Sequence, residues 1–147
     1  DTQLPAIDEE LVCVTENDAC CVDAIQCLLG CTYGKANLIP RLRGKMAFTF
    51  FVRDENGSAA KAVRLFLKPE AGEGMSRDEY QNYLLNTSYT ELFEVLEPCY
   101  ALPEPARHFA SEHCAVCGEY TAEYGLRLQD GKPVCLDCYS AYEREGF

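Results

Sequence analysis

No stretch of this chain approaches the roughly 20 consecutive apolar residues that a membrane-spanning helix needs, so no helical span is expected. Nothing at its start joins a basic segment to an apolar one, so no secretory signal is read there. No initiator Met opens it either, as processing or a missing upstream stretch would leave it. Histidine is scarce: His108 and His113 are the only two, and no His-based zinc motif can be built from them. There is no Gly-x-Gly-x-x-Gly, no P-loop and no nucleophile elbow. No internal repeat recurs at a solenoid period. Positive charge is short as well, with 13 Lys and Arg against 24 Asp and Glu and a net charge of -11. That balance argues against a general polyanion partner, because phosphate binding rests on Lys and Arg.

What the chain does have is cysteine, ten of them in 147 residues. A chain of this length does not need disulfides to fold. Four of the cysteines fall in Cys-x-x-Cys pairs and the rest follow no even spacing. This predicts metal ligands and free thiols in a reducing cytoplasm, with a disulfide framework as the lesser alternative.

Two parts are expected. Residues 1–97 carry mixed strand and helix signals, and residues 112–147 carry the cysteine pairs. Between them, residues 98–111 hold Pro98, Pro103 and Pro105, which cannot continue a helix or a central strand and read as an extended linker.

In the first part, residues 10–16 read as a strand. Asp18 is placed to cap a helix over residues 19–29, with Val22, Ile25, Leu28 and Leu29 at helical spacing and Gly30 ending it. Residues 45–53 and 60–68 are β-rich runs joined through Asn56-Gly57, a hairpin signal. Ser76 and Glu79 form a capping box that opens a helix to about Asn86. "ELFEVLE" suits either a strand or a helix end. The sum is an α+β fold, a small antiparallel sheet with helices on one face.

The strongest motif is "CAVCGEYTAEYGLRLQDGKPVCLDC". Two residues between paired cysteines make a knuckle that points both sulfurs at one ion, and Gly118 suits its backbone angles. Cys114, Cys117, Cys135 and Cys138 are therefore predicted to bind zinc. Asp130-Gly131 marks a hairpin turn between the pairs. "YSAYERE" after Cys138 reads as a short helix, which would put the second pair at a helix start in a treble-clef finger; a zinc ribbon is the alternative. Four protein ligands close the coordination sphere, so the ion would serve folding, not catalysis. His113, beside a complete quartet, reads as a surface residue. From Glu112 onward the module has seven acids against three bases, a net of -4. It lacks the footprint of a nucleic-acid binder, so a protein contact is the better expectation.

The stretch "VTENDACCVDAIQCLLGCTYGKANLIPRLRGKMAFTF" resembles the FmdE family, which takes its name from formylmethanofuran dehydrogenase. The resemblance rests on Glu16, Cys20, Asp23-Ala24-Ile25-Gln26, Gly30-Cys31-Thr32, Gly34-Lys35, Asn37-Leu38 and Gly44-Lys45 with the aromatic strand after them. It covers residues 11 to about 97, and the cysteine module looks like that of two-domain members. It implies an α+β core, an optional zinc finger and an intertwined homodimer, with roles in metal sensing, regulation or protein interaction. Members commonly carry a His-x-His-x-Cys element before this region; none occurs here, and Ala36 stands where a glycine is usual.

The core cysteines admit two readings. Cys20, in the first turn of the helix, is a candidate reactive thiol or ligand, since helix N-termini favour thiolate. Cys20, Asp23 and Cys31 form a candidate second site, although the helix sets Cys20 and Cys31 roughly 15 Å apart and so denies them a shared ion within one chain. Plain core packing fits Cys20 and Cys31 equally well. Cys13, Cys21, Cys27 and Cys99 read as small buried hydrophobes. Asp23 and Gln26 share a helix face with Cys20 and Cys27, a polar stripe that is either a site or a dimer seam. Lys35, Arg41, Arg43 and Lys45 are either a solvated basic loop or the seat of an anionic ligand or acidic partner.

Two functions follow. One is a cytoplasmic, non-catalytic homodimer whose zinc module serves protein interaction or metal-linked regulation. The alternative is a metal- or thiol-dependent enzyme or accessory component of formylmethanofuran dehydrogenase, one-carbon or molybdenum metabolism, using Cys20, Asp23 and Cys31.

Overall fold

The computed structural model describes residues 11–54, 56–69 and 72–142. The chain divides into two compact units, residues 1–105 and 106–147.

The first unit is a five-stranded sheet in the order β2-β1-β3-β4-β5. Its strands are β1 (Leu11–Thr15), β2 (Leu38–Pro40), β3 (Ala47–Arg53), β4 (Ala59–Leu67) and β5 (Phe93–Leu96). The helices are α1 (Cys21–Leu29), α2 (Arg77–Asn86) and the single turn α3 (Tyr89–Leu92). The α+β architecture is as the sequence predicts, with one correction: β2 pairs β1 in parallel, so the sheet is mixed. The excursion through α1 is long enough for this return, which a hairpin could not make. Strand β2 has only three residues and ends at Pro40. Edges are where sheets tolerate proline.

Strand alternation makes two faces. On one, Cys13, Cys31, Leu38 and Phe48 form a buried cluster against which Cys21, Val22 and Ile25 of α1 pack. On the other, Val12, Val14 and Phe51 are buried beneath Ile39, Ala62, Tyr100 and Leu102. The proline-rich segment beyond β5 has neither helix nor strand, yet it lays Tyr100 and Leu102 on this second face. The linker reading missed that contact, because proline content reports backbone freedom and not what the side chains between the prolines touch.

Helix α1 differs from expectation at its start and in which residues it buries. Asp18 does not cap it. Asn17 does the nearest equivalent work, its Oδ1 accepting from the Ala19 N–H at 3.1 Å. Cys20 takes the N-cap position without a side-chain cap bond. Gly30 ends the helix in the left-handed conformation at φ 67°, as predicted. Val22 and Ile25 face the core, but Leu28 is 78% exposed and Leu29 38%. Cys27 and Cys99 are exposed too, against the expectation that they fill the core.

Elsewhere the local signals hold. Asp54 Oδ1 accepts from the N–H groups of Asn56 and Ser58 and shapes the β3–β4 turn. The capping box is complete: Ser76 Oγ accepts from the Glu79 N–H, and the Glu79 carboxylate accepts from the Ser76 N–H. "ELFEVLE" is both of its readings in succession, the end of α3 and then β5.

The second unit holds two small antiparallel pairs. One joins β6 (Ser111–His113) to β7 (Tyr120–Ala122), and the other joins β8 (Leu126–Gln129) to β9 (Lys132–Cys135). The β8–β9 turn is Asp130-Gly131, with φ of 52° and 75°, the double positive φ of a tight hairpin.

Candidate metal centre

Each Cys-x-x-Cys pair folds into a knuckle. The Gly118 N–H donates to the Cys114 carbonyl at 2.9 Å, and the Tyr139 N–H donates to the Cys135 carbonyl at 2.8 Å. The two knuckles thus share one hydrogen-bond pattern, four residues apart in each. Gly118 takes a φ of 78°, which a residue with a Cβ adopts only under strain. After Cys138, residues 139–142 are not helical, so a helix start there is not borne out among the described residues; the rest of the expected helix, residues 143–145, lies outside them. Two similar knuckles favour the ribbon-like alternative over the treble clef.

The four sulfurs lie within 4.8 Å of one another. Cys117 Sγ is 3.9 Å from Cys135 Sγ. A tetrahedral metal–thiolate centre with bonds near 2.3 Å has sulfur–sulfur edges of about 3.8 Å, so the set fits such an ion. Around it the core is slight: Cys114, Val134 and Cys135 are buried, with Leu126 and Cys138 against them.

The backbone prepares these sulfurs for charge. Cys114 Sγ accepts from the Cys135 N–H at 3.3 Å and the Val116 N–H at 3.4 Å. Donation from the N–H groups of Cys135, Cys117 and Val116 brings its pKa down to about 6. Cys138 is pushed the other way, to about 12, first by its contact with the Cys135 thiol and then by burial. One thiolate is thus favoured and the next opposed, a conflict that a bound cation removes. His113 stays outside the cluster, its Nδ1 2.8 Å from the Gly118 carbonyl and its ring 3.9 Å from that of Tyr120.

The second candidate set is dispersed by comparison. Cys20 and Asp23 are exposed near the start of α1, whereas Cys31 is wholly buried beyond its end, its thiol 3.5 Å from the Leu11 carbonyl. Burial raises the Cys31 pKa. Among the described residues, Cys114, Cys117, Cys135 and Cys138 are the group of three or more His, Cys, Asp or Glu side chains placed to hold a metal.

A family model described as "FmdE, Molybdenum formylmethanofuran dehydrogenase operon" matches residues 2–95, more than half of the chain. The chain belongs to the FmdE family. A second model, the prokaryotic dksA/traR C4-type zinc finger, matches residues 109–144 and so contains all four knuckle cysteines. Among solved structures, the FmdE-family chain is similar to a tungsten formylmethanofuran dehydrogenase FmdE-like protein from Syntrophus aciditrophicus. The TM-score is 0.56 at 22% identity, over 87% of this chain and 70% of that one. Identity that low speaks for the fold alone. Comparison with curated proteins gives no match. Among the described residues, no helix is long and apolar enough to cross a membrane.

One arrangement in the FmdE region was not legible in advance. Glu16 is 1% exposed, and both of its oxygens accept from Arg64. The signal that could have found it is alternation: Val12, Val14 and Glu16 step along one face, and Arg64 lies across that face on β4. The basic stretch also divides. Lys35 reaches the Gly30 carbonyl, Arg43 reaches the Leu42 carbonyl, and Arg41 lies 4.6 Å over the Tyr100 ring.

Proposed function

We propose that this FmdE-family protein is a zinc-stapled homodimer that works through protein interaction or metal-linked regulation. The observation that carries the reading is the closed set of four knuckle sulfurs within 4.8 Å. Zinc accepts four thiolates in a tetrahedron without ligand-field preference, and four protein ligands leave no position for water or substrate. The ion would supply folding energy to a unit whose apolar core is only a few residues.

A second copy of the chain is supported by apolar surface on the first unit. Helix α1 has no buried residue. The sheet carries an open apolar depression of about 470 Å³ lined by Phe50, Val52, Lys61, Ala62 and Val63. Surface of this kind commonly marks an interface. The acidic balance of the zinc unit disfavours nucleic acid as its partner. The ten unpaired cysteines suit a reducing cytoplasm. Thiol or metal chemistry at Cys20, Asp23 and Cys31 has less support, because Cys31 is sealed in the core of its own chain.

Metal analysis combined with light scattering tests the reading. The expected result is one zinc per chain, kept in Cys20→Ala and Cys31→Ala, lost in Cys114→Ser, and a mass of two chains. A second ion lost in Cys20→Ala, or a monomer at every concentration, overturns it.

A further inference from the structure

We infer that Arg41, Lys45 and Arg64 form a binding site for a small oxyanion, a phosphate or a carboxylate, on the sheet face beside Tyr100. The net charge of the chain is -11, so a local surplus of cations stands out. It is built by strand register. Val14 faces Thr49 across β1–β3, and Thr49 faces Arg64 across β3–β4, which puts the Thr49 and Arg64 side chains together on the face Glu16 also uses.

Two of the three cations are held before any ligand arrives. Glu16 takes Nε and Nη2 of Arg64 at 2.8 and 3.1 Å, and the remaining nitrogen, Nη1, carries two more N–H donors. Arg41 is held over the Tyr100 ring at 4.6 Å, and that ring is anchored by its hydroxyl donating to Thr49 Oγ1 at 2.7 Å. Thr49 is thus the link between the two guanidinium groups. Lys45 stands beside the same residue, its backbone N–H donating to the Glu16 carbonyl at 3.3 Å, and after Arg64 it and Arg41 help draw the Glu16 carboxyl below its ordinary range. Arg64, Arg41 and Lys45 thus gather round a carboxylate that is 1% exposed.

Fixed donors lower the ordering cost of binding. Guanidinium groups match the oxygen spacing of carboxylate and phosphate, and an exposed ammonium adds an adaptable point charge. The Arg64 side chain is only 11% exposed, which admits a compact charged group and not a broad surface. The overall negative charge disfavours a nucleic-acid backbone as the source of the phosphate.

Thermal unfolding of the full, zinc-loaded chain tests the site, with inorganic phosphate and malonate titrated separately at constant ionic strength. A saturable rise in Tm with either anion is expected, and the tighter of the two identifies the ligand class. Arg41→Gln and Lys45→Gln should each weaken it by roughly 3- to 10-fold. Arg43→Gln, from the same loop but turned to the Leu42 carbonyl, should not. The Arg64 Nε–H NMR resonance should shift along the same titration. No saturable response to either anion, or an undiminished response in the double variant Arg41→Gln/Lys45→Gln, overturns the proposal.

Discussion

Glu16 and Arg64, 48 positions apart, meet through two contacts in parallel, Nε to Oε1 at 2.8 Å and Nη2 to Oε2 at 3.1 Å. The pair ties the end of β1 to β4 across β3. The same glutamate orders the loop before β3 through its backbone, its carbonyl accepting from the Arg43 N–H at 2.8 Å. Arg64→Met would leave a buried carboxylate without a partner, and about 3 kcal/mol of stability should be lost in urea unfolding. Glu16→Gln with Arg64→Met together should recover part of it, since no charge is then stranded. A destabilisation under ~0.5 kcal/mol in the single variant would mean the pair is solvated.

The pair also sets an acid limit. The Arg64 hydrogen bond holds the Glu16 carboxyl below its ordinary 4.5. A lowered carboxyl pKa stabilises the fold fully above the unfolded value, and that contribution disappears as pH falls through the folded one. Wild-type stability should therefore drop as pH is taken below 4.5, and the drop should be shallower in Glu16→Gln. Parallel curves for the two proteins would refute the assignment.

Removing the metal should act on one unit. Ligand thiols must be deprotonated, so protons and chelators both compete with the ion. A strong zinc chelator, or Cys114→Ser, should collapse the NMR dispersion of the β8–β9 hairpin while the β1–β5 signals persist. Retained dispersion in β8–β9 after complete metal loss would show that the small Val134 cluster folds without help.

Ala36 sits at φ 58°, the left-handed region. A Cβ there costs on the order of 1 kcal/mol, and glycine carries none of that penalty. Ala36→Gly should stabilise the chain by roughly 0.5 kcal/mol once the greater freedom of glycine in the unfolded chain is offset. A measured loss of stability would contradict this account.

Tyr100 joins the proline-rich segment to the core. Tyr100→Phe removes the 2.7 Å bond to Thr49, whose side chain is fully buried, and should cost about 1 kcal/mol. Tyr100→Ala also removes the ring from Phe51 and frees Arg41, and should cost about 3 kcal/mol. Equal effects of the two variants would place the energy in the hydroxyl alone.

Local chemistry was legible along the chain. Gly30, the Ser76–Glu79 box, Asp130-Gly131 and the two Cys-x-x-Cys knuckles act over four residues or fewer, so their neighbours in sequence are their neighbours in space. The treble-clef expectation weakened at the stretch after Cys138, where residues 139–142 have helical composition but are not helical; one turn is too short to be stable as an isolated helix. Asp18 misled for a related reason: several polar residues precede α1, and only the fold decides which reaches the free N–H groups.

Composition and spacing alone sufficed for the α+β class and the four-sulfur centre. They rest on short-range geometry, which needs no tertiary information. The parallel edge strand, the exposure of Leu28, the burial of Cys31, the seat of Tyr100 and the meeting of Glu16 with Arg64 were decided by the folded sheet. Each depends on which strands lie side by side and in what register, and a one-residue change of register would turn those side chains to the opposite face.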